Sequence, residues 1–68
     1  MKYKVVEDKL IFDRIDPKTQ EQVPGLFGKD EVEVDVEGSD MWITFNGEKI
    51  LTINHPRDYI RMGWIEPC

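Results

Sequence analysis

The chain offers few groups from which chemistry could be built. One histidine, His55, and one serine, Ser39, are the obvious halves of a nucleophilic pair, and a triad would need a third placed group beside them. Ser39 falls in a predicted hairpin turn at the far end of the central strand, so His55 reads as a loop histidine next to Pro56. Glu31, Glu33, Asp35 and Glu37 invite a second reading, as metal ligands or paired catalytic carboxylates. Alternate side chains of one extended strand stand ~6.6 Å or more apart, however, and cannot converge on one ion without a second element. Asp35-Val-Glu-Gly-Ser-Asp40 lacks the spacing and closing glutamate of a calcium loop. One Cys and one His cannot make a zinc site. Lys29, which follows Gly28, has neither Walker spacing nor a Ser or Thr after it. Neither an enzyme nor a metal or cofactor site is expected.

What the acids do instead is set the charge. The net charge of −5 divides into +1 over residues 1–29, −7 over 30–48 and +1 over 49–68, so the whole excess lies on one short segment. Direct nucleic-acid binding needs Lys and Arg clustered to neutralise phosphates, and an anionic membrane surface makes the same demand; neither is an expected partner. No apolar run approaches the length that crosses a bilayer, and the first nine residues become charged again before any signal-peptide core develops. With 68 residues the expectation is one domain, 1–68, of the size that buries only about 60% of the surface of its unfolded chain. The lone cysteine, Cys68, rules out an intrachain disulfide and fits a reducing, cytoplasmic setting.

The acids alternate strictly with Val32, Val34 and Val36, the period-2 pattern of a strand with one dry and one wet face. Gly38-Ser39 follows as a predicted type II′ turn, which sets Val36 against Met41, Val34 against Ile43 and Val32 against Phe45, all on one face. Asn46-Gly47 is a strong hairpin signal. As a two-residue type I′ turn it puts Ile43 opposite Ile50 and Trp42 opposite Leu51; as a three-residue loop it would exchange the faces of Ile50 and Leu51.

Before this meander, residues 2–7 read as a first strand and 10–15 as a second. Leu10 and Phe12 point one way in that second strand and Ile11 and Ile15 the other, which implies a bend or cover on both sides. Residues 16–25 read as a long polar loop framed by prolines, with Leu26 and Phe27 tucked beneath the sheet. After the meander, residues 54–63 read as one or two helical turns: Pro56 suits the first position, Asp58 the first turn, Arg61 the last and Gly63 the C′ position. Trp64 and Ile65 then form a final strand or docked tail. The expected fold is mostly β, a strongly bent antiparallel sheet of about five strands, or a small barrel, with one short helical turn near residues 56–62.

The informative side chain is Trp42. It shares its face with Glu33 and Asp35, away from the valines, so it must be covered by the helical turn, by Trp64 or by another molecule. Aromatic anchors ringed by charge are what binding hot spots are made of.

Gly25-Leu-Phe-Gly-Lys-Asp-Glu-Val-Glu-Val34 resembles the segment of SH3-type small barrels that leads through a charged turn into a strand. Met41-Trp42 falls where that family's tryptophan opens the next strand, Asn46-Gly47 where its distal hairpin lies, and Pro56-Arg-Asp-Tyr-Ile60 is similar to its Pro-x-x-Tyr-aliphatic turn. The resemblance covers residues 25–60. It implies that Trp42, Pro56 and Tyr59 line one groove, with residues 16–25 as its wall. The family's opening Ala-Leu-Tyr-Asp-Tyr-like motif is missing, with only Tyr3 in its place, so a polyproline groove is not implied.

The function expected is therefore non-catalytic: a protein-interaction module that uses Trp42, Tyr59, Pro56 and Leu51 with Glu33, Asp35 and Glu37 as an acidic rim. Its partner is another protein or a second copy, a homodimer. Two alternatives stand beside it. One is a small acidic inhibitor of the phage or mobile-element type, partly mimicking nucleic acid and blocking a basic surface with the Glu31–Asp40 hairpin. The other is an accessory subunit of a larger complex.

Overall fold

The valine and acid alternation forms the strand expected of it, and the two turns that follow set its neighbours in register. The computed structural model describes all residues, 1–68. Its elements run β1 (Lys2–Val5), β2 (Lys9–Ile15), β3 (Gln22–Gly28), β4 (Val32–Glu37), β5 (Asp40–Phe45), β6 (Glu48–Thr52), α1 (Pro56–Arg61) and β7 (Ile65–Pro67). Five strands make one antiparallel sheet in the order β6-β5-β4-β1-β7, and β2 and β3 make a separate two-stranded hairpin. The strands do not close into a barrel.

Both tight turns have the geometry that their residues dictate. Gly38 has φ +62°, and Val36 faces Met41 as a two-residue turn requires. Asn46 and Gly47 both have positive φ, +50° and +78°, the type I′ signature. Ile43 therefore pairs with Ile50 and Trp42 with Leu51, which decides between the two registers in favour of the shorter loop. Val32, Val34, Met41 and Ile43 are buried on the inner face, with Val36, Phe45 and Ile50 partly buried beside them.

Two expectations fail in the first half of the chain. Seven strands are present rather than about five: residues 22–25 of the expected loop belong to a strand, Gln22–Gly28, and the tail at Ile65–Pro67 pairs on β1 as a strand of its own. Pro24 and Gly25 suggested a loop, yet neither breaks this strand. The N–H and C=O of Asp13, which faces Pro24, point away from β3: its N–H donates to Asn54 Oδ1 (2.7 Å) and its C=O accepts from Ile53 (2.9 Å). By the alternation of an antiparallel ladder, the missing N–H of Pro24 then faces the outer edge of β3, where no ladder bond is lost. Gly25 admits the Phe27 ring, whose Cε2 would lie 2.8 Å from a Cβ built there. The second failure concerns the apolar residues of the hairpin. Ile11 and Leu26 are cross-strand partners that stand 50% and 59% exposed; Leu26 does not tuck beneath the sheet, and Ile11 is left half-open beside it. Phe27 does pack inward, against Phe12 and Phe45.

The hairpin and the five-stranded sheet enclose the core. Phe12 lies at its centre, stacked on Tyr59 at 5.4 Å between ring centroids and tilted against Phe27 at 6.2 Å. The helix closes one end. His55 is its N-cap, with Nδ1 accepting from the Arg57 N–H (3.2 Å), Pro56 is its first residue, and Gly63 follows at φ +75°. Chain reversal at Gly63 lays Trp64 edge-on against Tyr59 and carries β7 onto β1. No helix is long and apolar enough to cross a membrane.

Phe12 is 1% exposed and its ring meets two other rings. Phe12→Ala is expected to cost about 3–5 kcal/mol, comparable with the whole stability of a small domain. Urea unfolding followed by circular dichroism should show the variant largely unfolded without denaturant.

Candidate functional site

Five of the seven expected contact residues share one surface, because β4, β5 and β6 are in register. On the outer face, Asp35, Trp42 and Leu51 form a row across the three strands. Trp42 alternates with the buried Met41 and Ile43, so its ring is turned away from the core, half-buried only by neighbours on its own face. Lys49 is the nearest of these: its ammonium sits 4.9 Å from the Trp42 ring centroid and 3.8 Å from a Glu37 carboxylate oxygen. A cation held over an indole contributes about 0.5–1 kcal/mol at an exposed site. Leu51, on the far side of Trp42 from Asp35, is exposed, as is Ile53 beyond it.

The acidic rim is present and mostly paired. Asp35 accepts a hydrogen bond from the Met1 ammonium at 2.9 Å. That bond is the main reason its carboxyl is held below the ordinary value; partial burial opposes it, and the charges of the ammonium, Lys2 and Lys49 assist. Glu33 lies 4.0 Å from Lys2 and Glu37 lies 3.8 Å from Lys49. Exposed pairs of this kind add little stability. Their effect is on the field, since a cation stands beside each of the three rim carboxylates. No three His, Cys, Asp or Glu side chains converge where a metal ion could sit.

Tyr59 and Pro56 are not part of this face. The groove expected from Trp42, Pro56 and Tyr59, walled by residues 16–25, is not formed. The parity that turns Trp42 outward places it on the opposite side of the sheet from α1, whose Pro56 and Tyr59 are buried. Tyr59 is a core residue: it stacks on Phe12, meets Trp64 edge-on at 5.3 Å, and donates its hydroxyl proton to the Ile11 carbonyl. Trp64 is therefore spent on Tyr59 and leaves Trp42 uncovered.

Two clefts were not legible in the sequence. One, of about 470 Å³, runs between the hairpin and the helix end and is lined by Leu10, Ile11, Leu26, Tyr59 and Trp64 with Lys9 and Asp13 at its rim. The excess of apolar residues in β2 was the available signal for it. The other, of about 460 Å³, brings Ser39 and His55 to one place with Tyr3, Pro56 and Arg57, although these two residues read as distant along the chain. The sheet achieves this by setting the β4–β5 turn beside the N-terminus of α1. The Nδ1 atom of His55 is occupied by the Arg57 N–H, and no carboxylate lines the cleft.

Burial pushes the Tyr59 hydroxyl up to about 12, with the charge of Asp13 adding to the shift. An unfolded tyrosine ionises near pH 10, so the folded chain holds this proton more tightly. The resulting stability is complete below about pH 10 and is lost as pH rises through about 12. Ultraviolet titration of tyrosinate should show one late step that coincides with loss of the fold, and Tyr59→Phe should abolish that step. A late step that survives Tyr59→Phe would assign the shift elsewhere.

No protein-family model, no curated protein and no solved structure matches this chain.

Proposed function

We propose that the chain is a non-catalytic protein-interaction module whose contact surface is the outer face of β4, β5 and β6, centred on Trp42 and Leu51. The observation that carries this reading is the Asp35–Trp42–Leu51 row: an indole in strand register between a carboxylate and an exposed leucine, half-buried only by neighbours on its own face, with the Lys49 ammonium over its ring. A flexible lysine is displaced at small cost. What it uncovers is an aromatic and an aliphatic side chain within a ring of charge, the composition of an interface centre with a polar rim. The partner is another protein or a second copy. A groove of the kind found in SH3-type barrels is no part of this surface.

Blocking of a basic nucleic-acid-binding surface draws less support. Glu33, Asp35 and Glu37 each stand beside a cation, which reduces the negative field that such a blocker would rely on for steering.

Affinity capture from lysate of the source cells tests the reading. Trp42→Ala should abolish recovery of the partner while the circular dichroism of the chain is unchanged, and recovery by wild type should persist at high salt. Capture lost with Leu26→Ser but retained with Trp42→Ala would move the contact to the hairpin and overturn the assignment. Capture lost only in salt would favour the acidic inhibitor.

A further inference from the structure

Trp42 is the one aromatic ring turned away from the core, and the charge beside it is out of balance. Strand parity sets Asp40, two residues before it, on the same outer face and directly opposite Glu37 of β4. Two carboxylates opposed across a ladder repel. Lys49 offsets only part of this: its ammonium lies 3.8 Å from Glu37 and 4.9 Å from the Trp42 ring centroid, while Asp40 takes part in no ion pair. Residues 30–48 hold seven acids and no base, so neither β4 nor β5 has a cation of its own to supply. On the other side of the indole stand the exposed Leu51 and Ile53. Acid pair, indole and aliphatics thus follow one another across three strands, at about 4.8 Å per strand.

We propose that this face receives an arginine of a protein partner, its guanidinium stacked on Trp42 and forked toward the Glu37 and Asp40 carboxylates, with an apolar side chain of the same segment against Leu51. The assignment rests on the reading of this face as a contact surface, given above, and adds the chemistry of what it contacts. Lys49 marks the place, since the chain already holds a cation over this ring and beside Glu37.

An arginine suits the place better than a lysine does. The guanidinium is planar, lies flat on an indole and offers paired donors to a carboxylate, whereas an ammonium is a more strongly hydrated point charge. A quaternary ammonium group is held by a cage of several rings, and only one ring faces outward here. Seating the guanidinium turns the Lys49 side chain aside, which costs the chain only an exposed pair. Two cations then answer two carboxylates, Glu37 and Asp40. Leu51 and the indole edge meanwhile offer the apolar contact that a charge pair in water lacks.

The probe is a blocked peptide, acetyl-Gly-Arg-Gly-Leu-Gly-amide, together with its twin carrying citrulline, which keeps the shape of arginine without the charge. Each is titrated into the full chain to about 10 mM, the range of so small a contact, and followed by the NMR shift of the Trp42 indole N–H with that of Trp64 as reference. The arginine peptide is expected to move the Trp42 signal and to bind about two- to fivefold more tightly than its twin, the worth of an exposed cation–π contact. Lys49→Ala should tighten arginine-peptide binding by a similar factor, because the competing cation is gone. Lys18→Ala, which removes the same charge from an exposed turn outside this face, should leave binding nearly unchanged. Trp42→Leu should erase the preference for arginine over citrulline; if that variant does not fold, Asp40→Asn beside the exposed turn should reduce the same preference. Equal binding of the two peptides, an unmoved Trp42 signal, or a Lys49→Ala effect matched by Lys18→Ala overturns the arginine assignment. Those outcomes leave Trp42-dependent capture of a partner intact, whereas capture that ignores Trp42→Ala overturns the contact surface itself.

Discussion

The joint between the β2–β3 hairpin and the five-stranded sheet is the constraint on which the rest of the molecule depends. The two sheets share no ladder. They are held by the Ile53 N–H on the Asp13 carbonyl, by the reciprocal pair in which the Asp13 N–H donates to Asn54 Oδ1 and Asn54 Nδ2 donates to Asp13 Oδ2 (2.7 and 3.0 Å), and by the Tyr59 hydroxyl on the Ile11 carbonyl. These contacts satisfy outward-facing backbone groups of β2 that would otherwise be left open beside a hydrophobic core. They also aim Phe12 between the rings of Tyr59 and Phe27, where it fills the space between the layers. In a chain with 11 buried residues, no second cluster could hold the hairpin in place if this one were lost.

That joint divides the aromatic residues into two populations with different roles. Phe12, Phe27, Phe45, Tyr59 and Trp64 form a connected series of ring contacts on the inner side, and their large apolar areas supply much of what so small a core can bury. Trp42 belongs to none of these contacts. Its only ring partner is the Lys49 ammonium, and its cross-strand neighbours are a carboxylate and an exposed leucine. A side chain that adds nothing to the core, yet sits in the middle of the most regular part of the sheet, has its rationale at the surface.

The strand edges are managed as well. Prolines stand at outward-facing positions on β3 and β7, where they remove a donor without costing a ladder bond, and the end of β6 is met by β2 through the Ile53–Asp13 bond.

Local pattern alone determined the meander. The alternation of valine and acid, Gly38 at the first turn and Asn46-Gly47 at the second fix which side chains face inward, since a one-residue slip would turn every valine to solvent. The helix ends at Pro56 and Gly63 were equally plain, because capping chemistry is read within a few residues. The outward face of Trp42, and with it most of the candidate surface, followed from that same parity. What only the tertiary structure decided lies where residues distant in sequence meet. Pro24 could stand in a strand because its partner Asp13 turns its backbone groups to Ile53 and Asn54, far along the chain, which leaves the proline facing an open edge. Tyr59 and Trp64 went to the core because β2 arrived to cover them. Ser39 and His55 became neighbours because the sheet laid a turn beside a helix. No short-range signal encodes these meetings: each depends on the packing of two layers, and packing is settled by the whole chain at once.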